Sequence, residues 1–128
     1  MRVYFNPEKG LIKIPTLVTG PSFDVVVNLA LDTGATSTVI GWEGLLNSGY
    51  DPAISQNRLR LTTASGIEYI PIVEITQIEA LGIIRKNLQI ACHSFPVTST
   101  VEGVLGLDFF KDVRLLIDFK AGYLETSF

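Results

Sequence analysis

The chain has 128 residues, of which 47% are apolar and 18% charged, with a formal net charge of −3 at pH 7. A chain of that length reads as one domain, residues 1–128, able to bury a cooperative core without disulfide or metal staples. The largest basic clusters, Arg58/Arg60 and Arg85/Lys86, are too small for a nucleic-acid stripe, and no segment approaches the roughly 18 apolar residues of a membrane span.

Val3–Phe5 opens the chain as a short extended piece, stopped by Asn6-Pro7. Alternation over Gly10-Leu11-Ile12-Lys13-Ile14 predicts a strand, with Pro15 marking an edge or an end. Thr19-Gly20-Pro21-Ser22 is a turn. Phe23 to Leu31 follows as a long strand whose Val25-Val26-Val27 run blurs the alternation, as in a strand buried on both faces. Ile40, Leu45 and Trp42 supply the apolar side of a short helix ending near Gly49. Asn57–Thr63 and Glu68–Ile75 are strands joined by Ala64-Ser65-Gly66, a hairpin with a small-residue tip. Ile78 to Phe95 gives one or two more strands, with a turn expected near Arg85-Lys86-Asn87. Val104-Leu105 ends at Gly106, and Asp108 is placed to cap a short helix through Phe109-Phe110-Lys111. Arg114–Phe119, the turn Lys120-Ala121-Gly122 and Tyr123-Leu124 form a closing hairpin. The fold class expected is all-β, a closed or sandwich-like domain with one or two short helices.

Cys92 and His93 are the only cysteine and the only histidine. One cysteine forms no internal disulfide, and neighbouring strand residues point to opposite faces. Neither a Ser–His–Asp triad, a Cys–His pair nor a His/Cys metal site is built from these two alone. The stretch MRVYFNPEKGLIKI lacks the apolar core of a secretion signal, so cytoplasmic residence is the expectation.

Residues 30 to 40, ALDTGATSTVI, raise the chemical question. Asp32 follows an apolar strand and precedes an apolar segment, where a charge is costly to bury. It either caps the turn after the strand or is an active carboxylate. One carboxylate does not readily serve as base and acid toward the same water. Two at contact distance cannot both ionise, so they share one proton and titrate as a pair. No second D-T-G or D-S-G occurs in the chain, so a partner carboxylate would come from another copy of it.

Leu31-Asp32-Thr33-Gly34-Ala35-Thr36, followed by Thr38-Val39-Ile40, resembles the active-site signature of retroviral-type (retropepsin-like) aspartic proteases. Val104-Leu105-Gly106 resembles the second signature of that family, and Leu107-Asp108-Phe109-Phe110 resembles its cellular and bacterial branch. Gly106 lies 74 residues beyond Asp32 (106 − 32), a separation natural for that branch, and the likeness runs from residue 10 to 125. The resemblance implies a retropepsin-like acid protease fold with a flap hairpin. It implies that Asp32 is the catalytic residue, one from each subunit of a homodimer, with no metal and no cofactor. Thr33 would hydrogen-bond across the dimer axis, Gly34 would aim its amide at the carboxylates, and Ala35 would line the floor of the cleft. Thr36 stands where many viral members carry an acid. Val104 and Leu105 would line the cleft or pack behind Asp32, and Gly106 would let the loop pass closely. The hairpin around Thr63-Ala64-Ser65-Gly66 resembles the flap. Leu31, Ala64, Ser65, Gly66 and Ile67, with Val104 and Leu105, are the expected substrate contacts, for an extended peptide with apolar side chains.

A homodimeric aspartic endopeptidase acting on peptides or proteins is the leading function. A protease-fold module that clasps peptides without cutting them, or serves assembly, is the alternative. The termini, Val3–Phe5 and Tyr123–Phe128, could interleave between subunits as viral members do.

Overall fold

The computed structural model describes residues 1–96 and 98–128, with the backbone alone at Thr63. Among these, the strands are β1 (Arg2–Tyr4), β2 (Lys13–Thr19), β3 (Asp24–Leu31), β4 (Val39–Ile40), β5 (Arg58–Thr63), β6 (Gly66–Ala80), β7 (Ile83–Cys92), β8 (Gly103–Leu105), β9 (Arg114–Asp118) and β10 (Tyr123–Ser127). One α-helix, α1 (Trp42–Ser48), and two 3₁₀ turns, Pro52–Ile54 and Leu107–Phe110, complete the order. The expected all-β class with short helices is what the chain adopts.

The strands run β2-β3-β8-β4-β7-β6, and β6 returns to pair with β2 through Leu17↔Glu79, Val18↔Ile78 and Thr19↔Gln77. The sheet therefore closes on itself, and closure removes edges that would otherwise template aggregation. Its inside is filled by Ile14, Val18, Leu29, Ile40, Ile75, Ile78, Ile90 and Leu105, each no more than 1% exposed. Pro15 precedes the stretch where β2 gains its second neighbour, so it occupies an edge position. The strand continues past it to Thr19.

Two expected boundaries move for one physical reason. The strand ending at Ile75 and the one starting at Ile78 are a single strand of 15 residues, β6. Its inward-facing residues change phase, from Pro71 and Ile75 to Ile78 and Ala80. At that point the Thr76 N–H donates to the Tyr50 hydroxyl at 2.9 Å, and that hydroxyl donates to the Thr19 carbonyl at 2.6 Å. Opposite, Asn87 has φ 56°, a left-handed angle that asparagine tolerates. The polar run Arg85-Lys86-Asn87 thus marks a kink inside β7 and not a turn. The turn is Leu81-Gly82, with φ 53° and 73°, between the paired residues Ala80 and Ile83. Positive φ at both central residues matches the right-handed twist of the strands it joins.

Ile40 lies in β4 and not in the helix. α1 starts at Trp42 and ends as expected at Gly49, whose φ of 100° lets its N–H reach back to the last carbonyls. Gly44 faces β3, where an added Cβ would stand 2.9 Å from the Val27 side chain, so the helix packs close against the strand that carries the D-T-G loop.

β1 pairs with β10, and β10 with β9, as a separate three-stranded sheet. Both terminal segments are therefore paired within one chain. Thr126 Oγ1 donates to the Leu81 carbonyl at 2.8 Å, tying this sheet to the barrel's β6–β7 turn. Phe109, 0% exposed, fills the core beneath the second glycine signature, with the Phe110 ring edge-on at 5.4 Å. Phe109→Ala should lower the unfolding free energy by about 3–5 kcal/mol, read by urea denaturation. Ile54→Ala, at a side chain 77% exposed, should shift it by less than about 0.5 kcal/mol.

Candidate active site

β8 lies between β3 and β4, the strands on either side of the D-T-G loop. It is parallel to β3 through Ala30↔Val104 and Leu31↔Leu105, and antiparallel to β4 through Val39↔Val104 and Ile40↔Gly103. The loop from Asp32 to Thr38 must therefore cross over the end of β8. Where it starts, the Asp32 N–H donates to the Leu105 carbonyl at 3.0 Å. Further along, the Leu107 N–H donates to the Ala35 carbonyl at 2.8 Å. An added Cβ at Gly106 would come within 2.8 Å of the backbone of Ala35 and Ser37. Only glycine fits there.

Asp32 sits on this crossing. Its Oδ1 accepts from the Gly34 N–H at 2.9 Å, and its carbonyl accepts from the Ala35 N–H at 3.2 Å. The turn reading and the active reading of Asp32 thus share one geometry, since the turn sets the plane of the carboxylate. A Cβ at Gly34 would stand 3.2 Å from Oδ1, so that position is narrow as well.

A second carboxylate stitches the loops together. Asp108 does not cap the 3₁₀ turn, whose cap residue is Gly106 with no side-chain bond. Its Oδ1 accepts from the Thr38 N–H at 2.9 Å and from Thr38 Oγ1 at 2.7 Å. Thr38 Oγ1 in turn accepts from the Gly106 N–H at 3.1 Å. Thr38 is 0% exposed, and a buried hydroxyl needs such partners. The sequence motif includes Thr38 without a role for it, and the expected role of Asp108 was a cap. The signal for Asp108 was one polar residue inside an otherwise apolar run, LDFF.

Beside the loop lies a cleft of about 460 Å³. Gly34, Ala35, Thr36, Ser37 and Val104 form one side, Leu59, Leu61 and Ile70 of the β5–β6 hairpin another, and His93 and Phe95 a third. Ala35, Thr36 and Val104 thus line this cleft. Leu105 is 0% exposed and packs behind the loop. Leu31 and Thr33 line a different cavity of about 210 Å³, with Phe5, Ile12, Ile117 and Phe119. Ala64, Ser65, Gly66 and Ile67 are exposed at the hairpin end and do not belong to the cleft wall. The pleat explains Ile67. It pairs with Thr62, whereas Leu59 pairs with Ile70 and Leu61 with Glu68, so Ile67 points away from their face.

Cys92 is buried, and desolvation pushes its thiol up to about 11, against a smaller opposing pull from Arg58. It stays protonated and is a core side chain. Among the described residues no group of three His, Cys, Asp or Glu side chains is arranged to hold a metal ion, and no helix is long and apolar enough to cross a membrane.

Comparison with known proteins identifies the family. Residues 23–112 match the family model described as "gag-polyprotein putative aspartyl protease". The chain belongs to that family of retropepsin-like aspartic proteases. Its fold is similar to a retropepsin-like aspartic protease from Rickettsia conorii, at 18% identity over 97% of both chains and a TM-score of 0.73. It is also similar to the retroviral protease-like domain of Ddi1 from Leishmania major, at 16% identity over 94% of this chain and 96% of that one, with a TM-score of 0.61. No curated protein matches significantly.

Asp108→Ala leaves the buried Thr38 donors unpaired. It should cost about 1–3 kcal/mol of stability by urea unfolding. Gly106→Leu drives a side chain into the Ala35–Ser37 backbone, and should abolish any peptidase turnover in soluble, folded protein. Unchanged turnover in Gly106→Leu would detach the second signature from the site.

Proposed function

We propose that the chain is one catalytic domain, an aspartic endopeptidase that acts as a homodimer. The observation that carries this reading is Asp32 itself: a carboxylate fixed at Oδ1 by the Gly34 amide, on a loop stitched by Thr38 and Asp108, beside an apolar cleft under a hairpin. Each copy holds one such carboxylate, so a proton-sharing pair requires two copies related by a two-fold axis.

In that pair the ionised Asp32 takes a proton from the water held between the two side chains. The resulting hydroxide attacks the peptide carbonyl carbon. The neutral Asp32 gives its proton to the carbonyl oxygen, forming a gem-diol. Collapse of the gem-diol breaks the C–N bond, with a proton passing to the departing nitrogen and the dyad returning to its shared-proton state. Thr33, exposed beside Asp32, would hold the two loops together across the axis. The β5–β6 hairpin would act as the flap. Closing it excludes bulk water and strengthens every electrostatic contact inside.

The substrate this cleft favours is an extended polypeptide. Leu59, Leu61, Ile70, Phe95 and Val104 present apolar surface to its side chains, and the hairpin backbone offers sheet-like hydrogen bonds to its main chain.

The test is cleavage of a random peptide library between pH 4 and 7 by the wild type and Asp32→Asn. Internal cleavage should fall about 10²–10⁴-fold in the variant, with unchanged folding by circular dichroism. Sedimentation across a concentration series should show a dimer. Equal product from both proteins, or peptide binding with no cleavage by the wild type, would exclude the endopeptidase.

A further inference from the structure

His93 belongs to no part of the mechanism above, yet it stands between the cleft and the hairpin. It follows β7 directly, lining the 460 Å³ cleft on one side and a cavity of about 430 Å³ on the other. Across that second cavity lies Glu68 of β6, with a carboxylate oxygen 3.5 Å from His93 Nε2. His93 Nδ1 lies 2.9 Å from the Ser94 carbonyl oxygen.

Both ring nitrogens therefore face oxygen acceptors. A neutral imidazole carries one N–H and one lone pair. In either tautomer, one nitrogen would set its lone pair against an oxygen: the Ser94 carbonyl in one case, the Glu68 carboxylate in the other. Only the imidazolium, with two N–H donors, satisfies both contacts. Protonation therefore adds the donor that the neutral ring lacks.

The position of Glu68 gives this a consequence. β6 pairs with β7 only from Ile72 onward, so the hairpin from Arg58 to Pro71 extends beyond the barrel ladder. Its residues Leu59, Leu61 and Glu68 share the face turned to the cleft. Other ionisable groups border the same cavity: Arg58 of β5, Tyr69 of β6 and the buried Cys92 thiol beside the histidine. Burial pushes the Cys92 thiol up to about 11, so it brings no charge. Arg58 is a cation and opposes a second positive charge, so Glu68 is the group that favours protonation. Trp42 from α1 completes the wall without charge.

We propose that His93 is a positioning residue, which draws the β5–β6 hairpin down over the cleft through Glu68 when its imidazole is protonated and releases it when the proton leaves. This rests on the reading of the hairpin as a flap, and gives that flap a dependence on pH of its own, separate from the Asp32 pair. An imidazole is the side chain that changes charge between pH 5 and 8. The sign follows: docking is present at the acidic end and lost as pH rises. The pair is about half-exposed, with side chains 40% and 54% accessible, so the effect is that of a surface ion pair.

Amide hydrogen exchange of residues 58–71, measured on the full chain at pH 5 and pH 8 and corrected for intrinsic rates, tests this without reference to activity. The wild-type hairpin should be about two- to five-fold more protected at pH 5. His93→Asn and Glu68→Gln should each erase that contrast, while barrel amides in Ile75–Ala80 stay unchanged. A wild type with no contrast, or a contrast that survives in His93→Asn, overturns the proposal. The cleavage assay on the same samples keeps the two readings apart. Cleavage with a pH-indifferent hairpin sinks the His93 role alone. A pH-dependent hairpin with no cleavage supports docking and counts against proteolysis.

Discussion

The structure depends on one threading constraint: β8 must enter between β3 and β4 and meet the loop that joins them. A chain segment arriving some 70 residues later completes the sheet around Asp32 (Val104 pairs with Ala30). This is possible only where the backbones pass almost in contact. A Cβ at Gly103 would fall 2.1 Å from the Val39 carbonyl oxygen, and one at Gly106 would strike the Ala35–Ser37 backbone. Two residues without side chains allow the crossing, and the bond between buried Thr38 and half-buried Asp108 holds it. The carboxylate at the top of the loop inherits its orientation from these contacts, so its precision comes from the barrel.

The same economy shapes the cleft. The long strand β6 serves two purposes along its length, and its inward phase changes at Thr76. From Ile72 to Ala80 it is barrel wall paired with β7; before Ile72 it runs beyond that ladder as one arm of the hairpin. Tyr50 makes the change tolerable by taking the Thr76 N–H that the ladder drops, since an unpaired backbone donor there would cost about 1–3 kcal/mol. The hairpin thereby hangs over the D-T-G loop from a rigid root, with its apolar face turned inward and its polar reach, Glu68, directed at His93.

Much of this was legible in the residues. D-T-G-A after an apolar strand, and V-L-G-L-D-F-F at the right distance, marked the fold and located Asp32, Gly34 and Gly106. Period-two alternation found most strands, and Gly49 marked the helix end. What escaped depended on three-dimensional pairing. The phase change in β6 reads in sequence as a strand ending at Ile75, because a one-residue slip is indistinguishable from a break. Polar residues in β7 read as a turn, although Leu81-Gly82 does the turning. Leu59, Leu61 and Ile70 were recognisable as strand residues, but which face meets the cleft is settled by register with β6. Ile67 was drawn to the cleft for its apolar character and the pleat turned it away. Leu31 was drawn there by its place beside Asp32, yet it lines the cavity on the other side of the loop. Asp108 announces itself only as a polar residue out of place, and its pairing with Thr38 is a tertiary fact.

The account's central claim is that each chain supplies one half of a proton-sharing pair of Asp32 carboxylates. Mixing wild type with Asp32→Asn at fixed total concentration, after exchange of subunits, measures this directly. If both carboxylates are needed, activity follows the square of the wild-type fraction, so an equal mixture retains about a quarter of full activity. An equal mixture that retains about half would mean that each chain cleaves alone, and would contradict the account.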